Sequence, residues 1–182
     1  MESDGGPVEV LAVVPRSEAD VDLEQMDGLP SGPEVNIVDD FELDKSGAAV
    51  VSVGDASKIT FYTNCLLPNL VLHFWSSERF FSWSVVLVDD KRISRTFTMS
   101  NKRSIITVDK NECSLPIENG EGWQRVNLDL DSLLRNAFGT SFVACFEVTV
   151  SGSCKLARLF FQAKDYSDVE LPKYLRVCQH QA

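Results

Sequence analysis

Few residues in this chain have types and spacings that could carry catalysis. Asp89 and Asp90 are adjacent carboxylates, a pair that could bind a metal ion or exchange protons. They lie between two alternating apolar segments, where aspartates commonly form the hydrogen bonds of a tight turn, so we interpret them as a hairpin turn. The sequence Ser151-Gly152-Ser153-Cys154 offers a hydroxyl and a thiol, but it lacks the G-x-S-x-G order and the strand-to-helix context of a nucleophile turn.

The two histidines do not complete a catalytic group. His73 lies between Leu72 and Phe74, which is typical of a packed or edge-strand histidine, and His180 lies in the terminal tail. The glycines of Gly120-Glu121-Gly122 precede a strand pattern and not a helix, unlike those of a phosphate-binding loop. The sequence therefore predicts no catalytic residue, no cofactor-binding residue and a protein that is not an enzyme.

The cysteines are odd in number, widely spaced and without a C-x-x-C pair. This spacing favours reduced, mostly buried thiols over a disulfide framework or a zinc site. We therefore predict no metal site and no cofactor. The five residues are Cys65, Cys113, Cys145, Cys154 and Cys178.

Charge is distributed unevenly along the 182 residues. The net charge is −10, yet residues 1–44 contain thirteen acidic residues and one arginine, whereas residues 45–182 contain sixteen basic and fourteen acidic residues. An acidic leader would repel phosphates, so the pattern argues against nucleic-acid binding. The chain has no run of about 18 apolar residues and no signal-peptide pattern, so we predict a soluble, intracellular protein without membrane contact.

A group of basic residues is the best candidate for binding. Such charges commonly form a solvated surface, and the functional alternative is an electrostatic contact with an acidic protein partner. The group lies on the predicted hairpin and its neighbour and comprises Lys91, Arg92, Arg95, Lys102 and Arg103.

Tryptophans support a second hypothesis for binding. An exposed aromatic platform on a β-sandwich can bind carbohydrate, and Trp75, Trp83 and Trp123 are the candidates. Trp83 and Trp123 are flanked by alternating apolar residues, which favours a place in the core for both.

The elements that would position these residues are mostly strands. Residues 129–138 predict one short helix, because apolar residues recur there at helical spacing, an aspartate can cap the start and Gly139 can end it. Elsewhere the pattern alternates, which predicts about ten short strands, with breaks at Ser76-Ser77 and Ser151-Gly152-Ser153 and a loop over 109–122. We therefore predict an all-β, jelly-roll-like β-sandwich whose open side is closed by the helix.

The domain organisation follows from the change in composition. Residues 1–34 form an acidic, irregular leader that is flexible or ordered on a partner, although the apolar run Val10 to Val14 could dock as an added strand. Residues 35–178 form the β-sandwich, and residues 179–182 form a tail.

Seven short motifs occur in one order and at spacings similar to those of a known family. They are Val88-Asp89-Asp90-Lys91, Met99-Ser100-Asn101, Cys113-Ser114-Leu115-Pro116, Gly122-Trp123, Val126-Asn127-Leu128 through Ala137-Phe138-Gly139-Thr140, Cys154-Lys155-Leu156-Ala157-Arg158, and Tyr166-Ser167-Asp168-Val169-Glu170-Leu171-Pro172. From about Phe80 to Val177 the chain resembles the family of cilia- and flagella-associated protein twenty, inner-junction proteins of doublet microtubules. The acidic leader and the thinned basic run after the Asp89-Asp90-Lys91 turn make it a divergent member.

The resemblance implies a jelly-roll-like β-sandwich with one short helix and a non-enzymatic, structural function. A member would bind tubulin and neighbouring axonemal proteins, at the inner junction or inside the microtubule, in the cytoskeleton of a cilium or flagellum. The alternative, from another class of protein, is a carbohydrate- or ligand-binding β-sandwich module.

Overall fold

The computed structural model describes residues 7–14, 35–40, 48–54, 57–117, 120 and 122–176. In this part of the chain ten strands and one α-helix are followed by a single turn of 3-10 helix at Lys173–Leu175. The α-helix, α1, is Leu130–Phe138. The strands are β1 Val10–Val14, β2 Val35–Asp40, β3 Ala48–Val53, β4 Lys58–Cys65, β5 Asn69–Asp89, β6 Ser94–Ser100, β7 Thr107–Asp109, β8 Glu112–Pro116, β9 Gly122–Asp129 and β10 Phe142–Gln162. The predicted all-β class with one short helix is confirmed.

Strands β5 and β10 form the centre of the sheet. Each has 21 residues, and they pair antiparallel along their length. The breaks predicted at Ser76-Ser77 and at Ser151-Gly152-Ser153 are therefore wrong. In place of a turn, the pairing shifts register between Gly152 and Cys154, and Gly152 has a φ of 88°. Such a bulge bends a strand pair without ending it.

The bend divides the curled sheet into two halves that share β5 and β10. In one half, β5 pairs with β9, and β10 pairs with β1 and β3. In the other half, β5 pairs with β6, and β10 pairs with β4. Strand β2 continues the first half beyond β3, while β8 and β7 continue the second half beyond β6. Continuous strands thus connect the two layers of the sandwich.

The main core lies between the two halves. It combines Leu72 and Phe74 from the first half with Trp83, Val85 and other buried side chains from the second half. Across the bend in β5, the rings of Phe74 and Phe81 stack with centroids 5.0 Å apart. Burying a large apolar side chain contributes about 1.5–3 kcal/mol, so this cluster is the main source of stability.

Helix α1 closes the core as predicted. The carboxylate of Asp129 caps the first turn by accepting the N–H of Ser132, and Gly139 ends the helix with a φ of 67°. Leu130 and Leu134 point inward and are completely buried in the main core.

A second, smaller cluster covers the outer face of the first half. Val71 on β5 and Phe160 on β10 pack there against Tyr166, Leu171 and Leu175 from the segment that follows β10. Because both faces of these strands are buried, their sequences are nearly continuous apolar runs and not alternating ones.

Two further segments differ from expectation. Strand β1 pairs with β10, so Val10–Val14 extends the folded unit beyond the predicted boundary at residue 35. Strand β8 lies within the predicted loop 109–122 and pairs parallel to β6. Residues 1–6 and 15–34 of the predicted leader, together with Cys178, His180 and the tail 179–182, lie outside the described residues. Within the described ranges, no helix is long and apolar enough to cross a membrane.

Candidate partner-binding surfaces

The five basic residues of the predicted binding group do not share one surface. Lys91 and Arg92 precede β6, and Lys102 and Arg103 follow it. A strand of seven residues is about 20 Å long, so the two pairs lie at opposite ends of β6. We call the turn from Asp89 to Ile93, together with the turn at Lys110 and Asn111, the hairpin end.

The hairpin end is built around a buried carboxylate. Asp89 is completely buried, and its Oδ1 accepts the N–H groups of Lys91 at 3.0 Å and Ile93 at 2.9 Å. Its Oδ2 accepts the Nε–H of Arg95 at 2.9 Å. Burial acts to raise the pKa of Asp89, but the Ile93 N–H and the Arg95 guanidinium outweigh burial, and this pKa lies below its ordinary value. The interpretation of Asp89 as a turn residue is confirmed.

Arg95 joins three elements from inside the protein. Besides Asp89, its guanidinium donates to the Oδ1 of Asn111 at 2.8 Å and to the carbonyl of Lys110 at 3.2 Å. It also lies over the ring of Phe138 on α1, 4.4 Å from the centroid. Arg95 is only 8% exposed, which corrects the expectation that it faces a partner. It positions the hairpin end and does not belong to the surface.

Basic groups at the hairpin end point outward. Lys91, Arg92 and Lys110 are exposed. Asp90 is exposed as well, and its carboxylate accepts the N–H of Ser141. Arg92 has a φ of 62°, a left-handed conformation that costs energy for any residue with a Cβ. The hairpin end thus carries three exposed basic groups, with the exposed acidic residues Asp90, Asp109 and Glu112 beside them.

The other end of β6 combines basic and apolar groups. Lys102 and Arg103 are exposed, and so are Ile105 at 68% and Ile106 at 63%. The adjacent residues Arg79 and Phe80 of β5 are exposed too, and Phe80 keeps 45% of its surface in contact with solvent. We call these residues the loop face: Arg79, Phe80, Lys102, Arg103, Ile105 and Ile106. The charge pattern alone did not indicate its apolar members, although the pair Ile105-Ile106, one residue after Lys102-Arg103, was a signal in the sequence.

The candidates for catalysis are packed as structural groups. His73 is buried, its Nδ1 lies 2.8 Å from a guanidinium nitrogen of Arg158, and its ring packs on Trp123. Burial, and then the charges of Arg158 and Arg125, lower the pKa of His73 to about 4. Burial raises the pKa of the Cys154 thiol to about 12, so this thiol is not an activated nucleophile.

The cysteines are structural as well. The four that the structure describes, Cys65, Cys113, Cys145 and Cys154, are buried and not bonded to one another. Within the described residues, no group of three or more His, Cys, Asp or Glu side chains is placed to hold a metal ion.

Two of the three tryptophans reach the surface. Trp83 is in the core, as predicted, and is 2% exposed. Trp75 and Trp123 are opposite each other on β5 and β9, and both are half-buried. The Nζ of Lys155 lies 5.0 Å from the ring centroid of Trp75. The outer sheet face therefore carries a cross-strand tryptophan pair beside a lysine.

A groove of about 510 Å³ runs between the edges of β1 and β4. It is lined by Val10 to Val13, by Tyr62 to Asn64, and by Tyr174. One side of the groove is formed by β1, which the sequence indicated by its apolar run from Val10 to Val14.

Comparison with known proteins gives one clear match. The model of the CFA20 domain matches residues 56–179. Over 106 residues, the chain is 34% identical to cilia- and flagella-associated protein 20 of Chlamydomonas reinhardtii, an alignment that covers 58% of this chain and 56% of the relative. The protein of the same name from Paramecium tetraurelia is 32% identical over the same shares of each chain. The chain thus spans about half the length of the curated relatives it matches.

Solved structures are more distant. A family 6 carbohydrate-binding module superposes with a TM-score of 0.41 and 7% identity, covering 86% of this chain and 94% of the module. The module CsCBM6-3 from Clostridium stercorarium, in complex with cellobiose, gives a TM-score of 0.39 at 12% identity, covering 79% of this chain and 91% of the module. Likeness at this level carries no argument about function.

Proposed function

The chain belongs to the CFA20 domain family, and we propose that it is a non-enzymatic structural component of ciliary or flagellar doublet microtubules. It binds tubulin and neighbouring axonemal proteins, at the inner junction or as a microtubule inner protein. The observation that carries the proposal is the family match over 56–179, together with relatives named cilia- and flagella-associated protein 20.

The architecture suits such a role. Strands β5 and β10 run through both halves of the sandwich, so the domain resists bending between them. A rigid body of this kind can hold two neighbours at a fixed separation. The exposed basic residues at the two ends of β6 are the proposed contacts, because tubulin presents an acidic surface. They are Lys91, Arg92, Lys102 and Arg103.

The test is retention in the axoneme. The full chain is tagged in a ciliated cell, and axonemes are extracted with detergent and then with high salt. We expect the wild-type protein to stay with the salt-washed doublets. Recovery of the wild-type protein in the detergent-soluble fraction would overturn the structural role.

A charge-reversal variant tests the contacts. Changing the four exposed basic residues to glutamate is expected to release the protein, because it replaces attraction to an acidic surface by repulsion. The matched control makes the same change at exposed basic residues elsewhere, namely Lys58, Arg135, Lys164 and Lys173. Equal retention of the two variants would show that the ends of β6 are not the contact.

A carbohydrate- or ligand-binding module is the second candidate. The observation that favours it is the cross-strand pair of Trp75 and Trp123 on an outer sheet face. Aromatic faces of this kind stack on sugar rings. Binding on a glycan array that is lost in Trp123→Ala would support this function, and an array without any signal would count against it.

A further inference from the structure

The loop face is formed by two separate protrusions of the chain. On β5, Gly152 of β10 pairs with Phe81 and Cys154 pairs with Ser76, so the four residues Ser77 to Phe80 oppose the single residue Ser153. The extra length carries Arg79 and Phe80 outward. The second protrusion is the segment from Asn101 to Ile106, between β6 and β7.

Glycine at position 152 permits the first protrusion. A side chain at this position would collide with the carbonyl group of Phe80, and the φ of 88° is itself unfavourable for other residues. The close approach of β10 to Phe80 thus fixes where the protrusion leaves the sheet.

Asn101 joins the two protrusions. Its Nδ2 donates to the carbonyl of Arg79 at 2.7 Å, and its Oδ1 accepts the N–H of Phe81 at 2.9 Å. Its own backbone N–H donates to the carbonyl of Phe81. One side chain therefore binds both strands of the loop face, which makes the face a single, pre-organised surface. Pre-organisation lowers the entropy lost when a partner binds.

The composition of the loop face is that of a protein interface. Ile105 and Ile106, which are neighbours in the chain, and Phe80 on the joined protrusion are exposed apolar groups, and such groups rimmed by arginine are typical of interface centres. The two protrusions together contain three basic residues, Arg79, Lys102 and Arg103, and one acidic residue, Glu78. This positive balance is complementary to an acidic partner.

We propose that the loop face is the surface by which this protein docks onto an acidic protein, with Ile105 and Ile106 inserted into an apolar pocket of that partner. The inference rests on the proposed function, under which the partner is the microtubule wall. Of the two ends of β6, the loop face has the more exposed apolar side chains, Ile105 and Ile106, whereas the hairpin end presents mostly charges beside the less exposed Val143. A contact with apolar anchors persists at high salt, where contacts between exposed charges are screened.

Co-sedimentation of the full chain with purified, stabilised microtubules, at low and high salt, tests this surface. The variant Ile105→Ser/Ile106→Ser is expected to lose affinity by about tenfold or more at both salt concentrations, the size of a hot-spot effect. The matched control is Leu66→Ser/Val169→Ser, since these residues are exposed by 70% and 78% but lie elsewhere. We expect the control to bind as the wild type does.

A charge-reversal variant separates the contribution of the basic residues to the affinity from that of the apolar side chains. Lys102→Glu/Arg103→Glu is expected to weaken binding strongly at low salt and less at high salt. Urea unfolding of each variant shows whether it folds, and no large change is expected because the altered side chains are exposed. Wild-type affinity in the isoleucine variant, or an equal loss in the control, would overturn the docking surface.

Failure of the docking surface and failure of the proposed function give different results in the two experiments. If the wild type stays in salt-washed axonemes but does not sediment with microtubules, tubulin is not the partner of the loop face, and the axonemal role stands. If the wild type is washed out of axonemes, the role itself falls, whatever the sedimentation of the variants.

Discussion

The two ends of β6 carry similar numbers of exposed basic residues, yet they are built on opposite principles. At the hairpin end an ion pair lies inside the protein, where Asp89 and Arg95 fasten two turns and a helix together. At the loop face the neutral side chain of Asn101 joins the two protrusions by hydrogen bonds, and the apolar side chains are exposed to solvent. A basic segment of sequence can thus be a structural brace or a docking surface, and burial decides between the two.

Removing the buried ion pair of Asp89 and Arg95 is expected to cost more stability than any other proposed substitution. Asp89→Asn removes the charge that compensates Arg95, and leaving a buried guanidinium unpaired is expected to lower the free energy of unfolding by about 3–5 kcal/mol. Urea denaturation at neutral pH measures the loss. The matched control is Arg135→Gln, which breaks the exposed pair of Arg135 and Asp131 on α1 and is expected to cost at most about 0.5 kcal/mol. Similar losses in both variants would show that the brace is no stronger than a surface ion pair.

A pH experiment tests whether burial of cationic groups is costly elsewhere in the fold. The pKa of His73 falls from 6.5 to about 4, first because of burial and then because of Arg158 and Arg125. Between these pH values the unfolded chain binds a proton that the folded protein does not, so stability falls as the pH drops from 6.5 towards 4. A shift of this size corresponds to a loss of about 3 kcal/mol.

The measurement compares two proteins. Free energies of unfolding are determined at pH 7 and pH 4.5 for the wild type and for His73→Gln, which keeps an acceptor for Arg158 but does not titrate. The carboxylates titrate in both proteins, so the difference between them isolates His73. An identical pH dependence would mean that His73 does not resist protonation in the fold.

The variant Asn101→Ala tests whether the hydrogen bonds of Asn101 hold the two protrusions of the loop face together. It removes two side-chain hydrogen bonds, and we expect a loss of about 1–3 kcal/mol in stability. Microtubule affinity should fall as well, because the two protrusions separate. Asn136→Ala is the control, since this asparagine is exposed on α1 and its removal is expected to change stability by less than about 0.5 kcal/mol. If Asn101→Ala bound with full affinity, pre-organisation would not contribute to docking.

A substitution of Arg92 distinguishes backbone strain at the hairpin end from a contribution of this end to binding, and its effect on stability is expected to be small. Arg92→Gly relieves a left-handed conformation and is expected to raise the free energy of unfolding by up to about 1 kcal/mol. It also removes one exposed charge from this end. If the apolar groups of the loop face supply most of the affinity, losing one of the four proposed charge contacts lowers microtubule affinity only slightly. A large loss of affinity would move the contact to the hairpin end.

Local signals were sufficient to predict some elements. Helix α1 was predictable because its caps and its apolar stripe lie within eleven residues of sequence, Asp129 to Gly139. The breaks assigned within β5 and β10 were wrong for the opposite reason. Whether Ser76-Ser77 and Ser151-Gly152-Ser153 form turns or a bulge depends on the register between two distant strands, which no local pattern contains.

The burial of Arg95 could be predicted in part from the alternation of residues in the sequence. On β6, Arg95 is in phase with the buried residues Phe97 and Met99, and on β5, Asp89 is in phase with Val85 and Leu87. Two opposite charges that both alternate with core residues predict an internal ion pair. The contact with Asn111 was not predictable, since it depends on β8, a strand that the sequence pattern did not reveal.

The position of β10 in the sheet has a consequence for synthesis of the protein. Strands β1, β3 and β4, all from the first 65 residues, pair with β10, which begins only at residue 142. On the ribosome these early strands remain without this partner until β10 has emerged. Their apolar residues stay exposed throughout that interval, which is the condition that recruits chaperones and favours aggregation. The same long-range pairing that connects the two halves of the domain therefore delays its folding until β10 has been synthesised.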